Sequence, residues 1–229
     1  MNYSKTYRSK IYRDFQEIQQ NSSWHSVTRF YEKNEGRILS LDFEEHFDLM
    51  LCYTGALFEI GAYRKHILMA NTIIEISITQ NIDHWNGDDI YTKTLFRKAA
   101  SHYNLSEPKK CEHILRELIK MDPQDEDSIT FLKRCLRNEQ PKYIQYCRAT
   151  AMFLFFAAAL VICVEMLFVK NFMPNYTELT MDIRTGIFAI GLVIFVSGDL
   201  YHRWRTNKEA NDFVQKQMSV KRDRIDILL

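Results

Sequence analysis

At 229 residues the chain is long enough for one or two domains, and its first two thirds alone suffice for an ordinary core. Thirty basic and twenty-nine acidic residues leave a formal net charge of +1, which excludes a global field that would draw the chain onto nucleic acid or anionic lipid. Seven Gly and four Pro in the whole chain point to long helices and few tight turns, so the fold class expected is all-α. The five cysteines, Cys52, Cys111, Cys135, Cys147 and Cys163, form no CxxC pair and sit within apolar helical patterns, as buried reduced thiols do.

The first helix is legible from Tyr3, Tyr7, Ile11, Phe15 and Ile18, an apolar stripe at helical spacing with Lys5, Arg8, Lys10 and Arg13 on other faces. Acidic Asp14 and Glu17 follow, which favours a solvated face of a packed helix over contact with anionic lipid. Residues 1–30 contain no apolar stretch of the kind an export signal needs, so a later segment has to direct insertion. A second helix is predicted over 23–35, stopped by the Asn-Glu-Gly run at 34–36. A third starts at Asp42, a good N-cap, and carries Phe43, Phe47, Met50, Leu51 and Leu57.

Two stretches then share a pattern. In 50–74, Ile60 and Gly61 close one helix, Tyr63 follows the turn, and Ala70 and Ile73 pack on the next helix. In 99–123, Leu105 closes a helix, Cys111 takes a small position early in the next, Leu115 and Leu118 give the inward face, and Met121, Asp122 and Pro123 end it. Residues 124–137 read as the first helix of a further unit. Over residues 42–137 this resembles the tetratricopeptide repeat family. His66 stands where that family prefers Ala, Pro108 replaces the aromatic after the turn, and a polar insert at 79–89 sets the copies about forty-five rather than thirty-four residues apart. What the resemblance implies is a stack of antiparallel helix pairs whose concave face binds a peptide or a partner helix. Physical reasoning agrees on stacking, since one helix pair cannot bury its apolar face alone. An irregular helical bundle is the alternative.

Residues 149–169 carry one charge in twenty-one positions, long enough for a helix to cross a bilayer. A second span is predicted over 183–201; its uninterrupted apolar run is 186–196, so an interfacial or partly buried helix is the competing reading. Arg134, Arg137, Lys142 and Arg148 precede the first span, and Arg203, Arg205, Lys208, Lys216, Lys221, Arg222 and Arg224 follow the second. The loop between them, 170–182, holds Lys170 and Pro174, with Arg184 at its far edge. By the positive-inside rule both termini are cytoplasmic, with a bacterial inner membrane the expected location. The expected organisation is thus a cytoplasmic helical domain at 1–145, a transmembrane hairpin at 146–204 and a cytoplasmic amphipathic tail at 205–229 carrying Ala210, Phe213, Val214, Gln217 and Met218.

The seven histidines form no HxxxH, HExxH or Cys/His ligand spacing, and Cys111, Glu112 and His113 are adjacent helical residues that point apart. The acidic run Asp122, Asp125, Glu126 and Asp127 lacks the central Gly and closing Glu of a calcium loop and reads as a helix start. No phosphate loop or nucleophile elbow is present, so no catalytic residue, metal or cofactor is assigned and no enzyme is expected. Of the sequons at Asn21, Asn104 and Asn175, Asn175 alone faces outward in this topology.

The residues singled out are the ionisable groups of the hairpin: Glu165, Arg184, Asp199 and Arg203. In an antiparallel hairpin Glu165 and Asp199 lie at opposite depths, so the expected pairs are Glu165 with Arg184 and Asp199 with Arg203. Two functions are expected from this pattern. The preferred one is a membrane-anchored interaction module that recruits a cytoplasmic protein partner to the lipid surface. The other is a membrane effector whose hairpin assembles into a pore, with Ala157, Ala158, Ala159, Gly186, Gly191 and Gly198 allowing close helix contacts in a homo-oligomer.

Overall fold

The computed structural model describes residues 9–21, 23–139, 141–169 and 177–228. Tyr3, Lys5, Tyr7 and Arg8 of the predicted first helix, and Lys170, Pro174 and Asn175 of the predicted loop, lie outside them. The regular structure among the described residues is helical apart from one short ladder, and the chain divides into two compact units, Met1–Leu132 and Lys133–Leu229.

In the first unit α1 (Lys10–Asn21), α2 (Trp24–Ile38), α3 (Phe43–Glu59), α4 (Tyr63–Thr79), α5 (Ile90–Asn104) and α6 (Pro108–Met121) pack in succession, each on its neighbour in the chain. The turn at 60–62 joins α3 to α4, and that at 105–107 joins α5 to α6; connections this short return the chain antiparallel. α7 (Glu126–Asn138) begins in this unit, where Phe131 meets the rings of Phe96 and Tyr103 on α5. Tyr12 and Phe15 of α1, Val27, Tyr31 and Ile38 of α2, and Leu49, Tyr53, Ala56 and Leu57 of α3 form one core, with Tyr31 and Tyr53 stacked at 4.1 Å. Phe47, Met50, Ile73 and Ile90 form a second.

The helix ends follow local chemistry. Asp42 accepts the Glu45 amide at 3.1 Å and caps α3. Gly61 (φ +77°) ends α3 in a Schellman turn, with its own amide on Phe58 O and that of Ala62 on Leu57 O. The same bonding closes α4 at Asn81 (φ +52°) and α5 at Ser106 (φ +59°). The predicted stop at 34–36 does not operate: α2 continues through Gly36 to Ile38. Ile38 is completely buried, and burying its side chain by one further helical turn outweighs the weak helix propensity of glycine.

Within the polar insert at 79–89, β1 (His84–Trp85) pairs antiparallel with β2 (Asp88–Asp89) across Asn86 and Gly87, both at positive φ. Asn-Gly is the sequence of a two-residue type I′ hairpin turn. Trp85 sits edge-on to Phe47 at 5.0 Å. Its indole donates to Asp48 Oδ1 (3.2 Å), as does the amide of Asn86 (3.1 Å), while Tyr12 Oη donates to Asp48 Oδ2 (2.6 Å). One carboxylate thereby ties α1, α3 and the hairpin together.

In the second unit α8 (Lys142–Val164) runs into a π-helical turn, Glu165–Val169, and α9 (Thr177–Leu228) returns. The glycine contacts fix the direction: Gly198 lies against Cys147, and Gly191 against Leu154 and Phe155. Rising numbers on one helix meet falling numbers on the other, so the pair is antiparallel. α9 starts at Thr177, within the predicted loop, and passes 204 without a break into the predicted tail. Thr177, Glu178 and Asp182 are polar, and an apolar window cannot register a helix that continues beyond its apolar stretch. Its 52 residues extend about 78 Å at 1.5 Å per residue.

Candidate functional site in the C-terminal hairpin

The α8 and α9 pair is apolar on the outside. Two helices are long and apolar enough to cross a membrane, and only 11% and 6% of their apolar windows are buried. A core helix of a soluble domain passes the same length and hydropathy test but is mostly buried. Here Phe153, Phe156, Leu160, Leu167, Phe188 and Val193 are exposed, while the buried positions of the two apolar stretches, 149–169 and 183–201, are Ala151, Ala158, Glu165, Gly191 and Gly198. That inversion of large apolar outside and small or polar inside is what a lipid solvent requires.

Close approach of the helices depends on residues without bulk. A Cβ at Gly191 would lie 3.0 Å from the Phe155 ring, and one at Gly198 would lie 3.1 Å from Cys147 Cβ. These two glycines and Ala158 are therefore used within the chain. Gly186 has nothing within 4 Å.

The structure places the four sequence-selected ionisable residues in two clusters. Glu165, at the first position of the π turn, has a side chain only 3% exposed, and its Oε2 accepts from Arg184 Nη1 at 3.1 Å. Arg184, 28% exposed, reaches it from α9. An unpaired carboxylate at that depth would be costly, and the charge-assisted bond offsets the cost locally. At the other end Asp199 pairs with Arg203 (3.0 Å), one turn on, and with Arg148 of α8 (4.0 Å). Glu165 and Asp199 do not meet.

Two further contacts carry no local signal in the sequence. Arg148 is only a flanking charge in the sequence, yet it joins the Asp199 cluster across the pair. His202 is buried, its Nε2 donating to the Arg137 carbonyl (3.2 Å), with Tyr143 Oη 3.0 Å from Nδ1. No spacing in the sequence connects residues 59 and 65 positions apart.

The same end carries an aromatic and basic belt. Tyr143 touches Tyr201, Tyr201 touches Trp204, Lys208 lies over the Trp204 ring at 5.3 Å, and Arg205 lies over the Tyr143 ring at 5.9 Å. Amphipathic rings and long cations gather where hydrocarbon meets water. From Ile183 to Tyr201 α9 rises about 27 Å, close to the hydrocarbon thickness of a bilayer.

Among the described residues no group of three or more His, Cys, Asp or Glu side chains is arranged to hold a metal ion. Comparison with protein-family models, with curated proteins and with solved structures gives no match.

Proposed function

We propose that the chain is a membrane-anchored interaction module: the hairpin of α8 and α9 fixes it in a bilayer, both termini face the cytoplasm, and the N-terminal helical unit recruits a protein partner to the lipid surface. The observation that carries the anchor is the exposed apolar band of the hairpin, bounded at one end by the belt of Tyr143, Tyr201 and Trp204. An anchor is favoured over a pore because Gly191, Gly198 and Ala158 are consumed within one chain. Both buried and interfacial charges also have partners within it. A pore needs outward small residues to pack protomers and inward polar residues to line water. For the N-terminal unit, support comes from helices packed in succession, with the tetratricopeptide-like stack as the finer form proposed.

The test follows the full-length chain expressed in a bacterial cell. The chain is expected to stay in the membrane pellet through alkaline carbonate extraction, to leave the membrane potential unchanged, and to show fluorescence of reporters fused at either terminus. Depolarisation on expression would transfer the assignment to the effector reading. Release by carbonate would remove the membrane from it altogether. Recruitment is read by site-specific photocrosslinking from α3 to α6 in those cells. A single partner whose crosslinks map to one face supports the module, and no adduct from any position rejects recruitment.

A further inference from the structure

On α5, Ile90, Thr94, Arg97 and Ser101 are spaced by four, three and four positions, which puts them on one helical face. Thr94, Ser101 and Ile90 are buried and Arg97 is partly buried, so this face turns inward. An inward face is ordinarily apolar, because a buried polar group without a hydrogen bond costs about 1–3 kcal/mol. Three of these four are polar.

Ser101 is satisfied: its Oγ lies 2.8 Å from His66 Nδ1. Thr94 Oγ1, the Arg97 guanidinium and His66 Nε2 make no hydrogen bond or ion pair to any described residue and are open to solvent rather than sealed, with the guanidinium 5.8 Å over the Phe58 ring. All three residues line one cavity of about 320 Å³ within the first unit, at the small end of the range for ligand pockets. Gly55 provides the room, since a Cβ there would lie 3.3 Å from Arg97 Nη1.

Carboxylates lining the cavity have other partners. Asp48 accepts from Tyr12, Trp85 and Asn86, and Asp88 closes an ion pair with Lys93, though it also senses the Arg97 charge. Burial and the nearby Arg97 hold His66 down to a pKa of about 4, so it meets a ligand as a neutral imidazole. Asp88 and Lys93 pair with each other and Asp48 is held by neutral donors. The Arg97 guanidinium, over the Phe58 ring, keeps its N–H donors free, and its planar fork fits a carboxylate or a phosphate. Ile73 and Trp85 add an apolar and an aromatic surface to the same cavity.

We propose that this cavity binds a small organic anion, with its carboxylate or phosphate on Arg97, hydrogen bonds from Thr94 and His66, and its apolar body against Ile73 and Trp85. The site is independent of the membrane reading, because every residue in it belongs to the first unit.

The experiment titrates the full-length chain in detergent with benzoate, phenyl phosphate and the neutral control benzyl alcohol. Tryptophan fluorescence is the readout, because Trp24 and Trp85 both line the cavity. One or both anions are expected to saturate with Kd of about 1 mM or tighter, with benzyl alcohol at least about tenfold weaker. Which anion wins separates the carboxylate from the phosphate source. Arg97→Gln is expected to weaken binding at least about tenfold, or 1.4 kcal/mol. If that variant unfolds by circular dichroism, Gly55→Ser, which crowds the guanidinium, and Thr94→Val are to weaken it in its place. No saturable change with either anion, equal affinity for benzyl alcohol, or unchanged affinity in the folded variants would each overturn the site and leave a hydrated cavity only.

Discussion

Single residues in the first unit show how local demands are met imperfectly. Gly61, Asn81 and Ser106 occupy the same left-handed position of three Schellman turns, where a side chain costs about 1 kcal/mol and glycine costs none. Ser106→Gly is therefore expected to raise the unfolding free energy by about 0.5–1 kcal/mol, and Gly61→Ala to lower it by about 1 kcal/mol, in chemical denaturation of the detergent-solubilised chain. His66 gives a second prediction. Its folded pKa of about 4 lies below the ordinary 6.5, so between those values the unfolded chain binds the extra proton. Stability from this group is full above about pH 6.5 and is lost as pH falls toward 4, by on the order of 2–3 kcal/mol. Glu32, Asp88 and Glu107, each held below its usual range by a lysine or histidine partner, also lose stability on acidification, but only below their ordinary values near 4 to 4.5. Comparing wild type with His66→Gln between pH 6.5 and 5 isolates the imidazole. The variant is expected to show a flatter profile there, and parallel profiles would mean that His66 is charged in the folded chain.

Elements were legible in proportion to how local their cause was. Asp42 announces α3, and Leu105 marks the end of α5, because capping and turn chemistry act within a few residues. Gly36 misled for the opposite reason: the turn beyond it is held by Ile38, whose burial is a tertiary fact. The ladder around Asn86 and Gly87 carried a readable turn signal, but two-residue strands leave no alternation to read. Apolar periodicity also hides polar faces, so the inward stripe of Thr94, Arg97 and Ser101 could be found only once α3 and α4 stood opposite it. In the hairpin, apolar content marked both spans, whereas the helix pairing that uses Gly191 and leaves Gly186 open had to come from the structure. These two glycines make an internal control. Gly191→Leu forces a side chain against Phe155 and Leu154 and is expected to cost about 1–3 kcal/mol in detergent-induced unfolding. Gly186→Leu, with open space around it, is expected to be neutral or slightly stabilising. Equal losses would mean that Gly186 packs on a second protomer.

At the scale of the whole molecule the question is whether the hairpin is complete as one copy. Polar groups inside a membrane drive association when they lack partners, because hydrocarbon offers none. Glu165 finds Arg184, and Asp199 finds Arg203 and Arg148, all within the chain. What the pair exposes is Phe, Leu, Ile, Val and Met, which the lipid tails of the proposed bilayer would solvate as well as another helix would. The full-length protein in mild detergent is therefore expected to have the protein mass of one or two chains by light scattering, not of a ring. The ion pair supplies the perturbation that makes this sharp. Glu165→Ala leaves the Arg184 guanidinium without its carboxylate at that depth, and it can regain an acceptor by lowering the stability of the hairpin or by seeking another protomer. The variant is expected to lose about 1–3 kcal/mol in stability, discounted from a fully buried pair because Arg184 is 28% exposed. The double variant Glu165→Ala with Arg184→Ala is expected to regain part of that loss, since it removes the orphan charge. A wild-type chain that already forms a ring, with Glu165→Ala dispersing it, would mean that the pair joins protomers, and the hairpin would then have to be read as an assembling element.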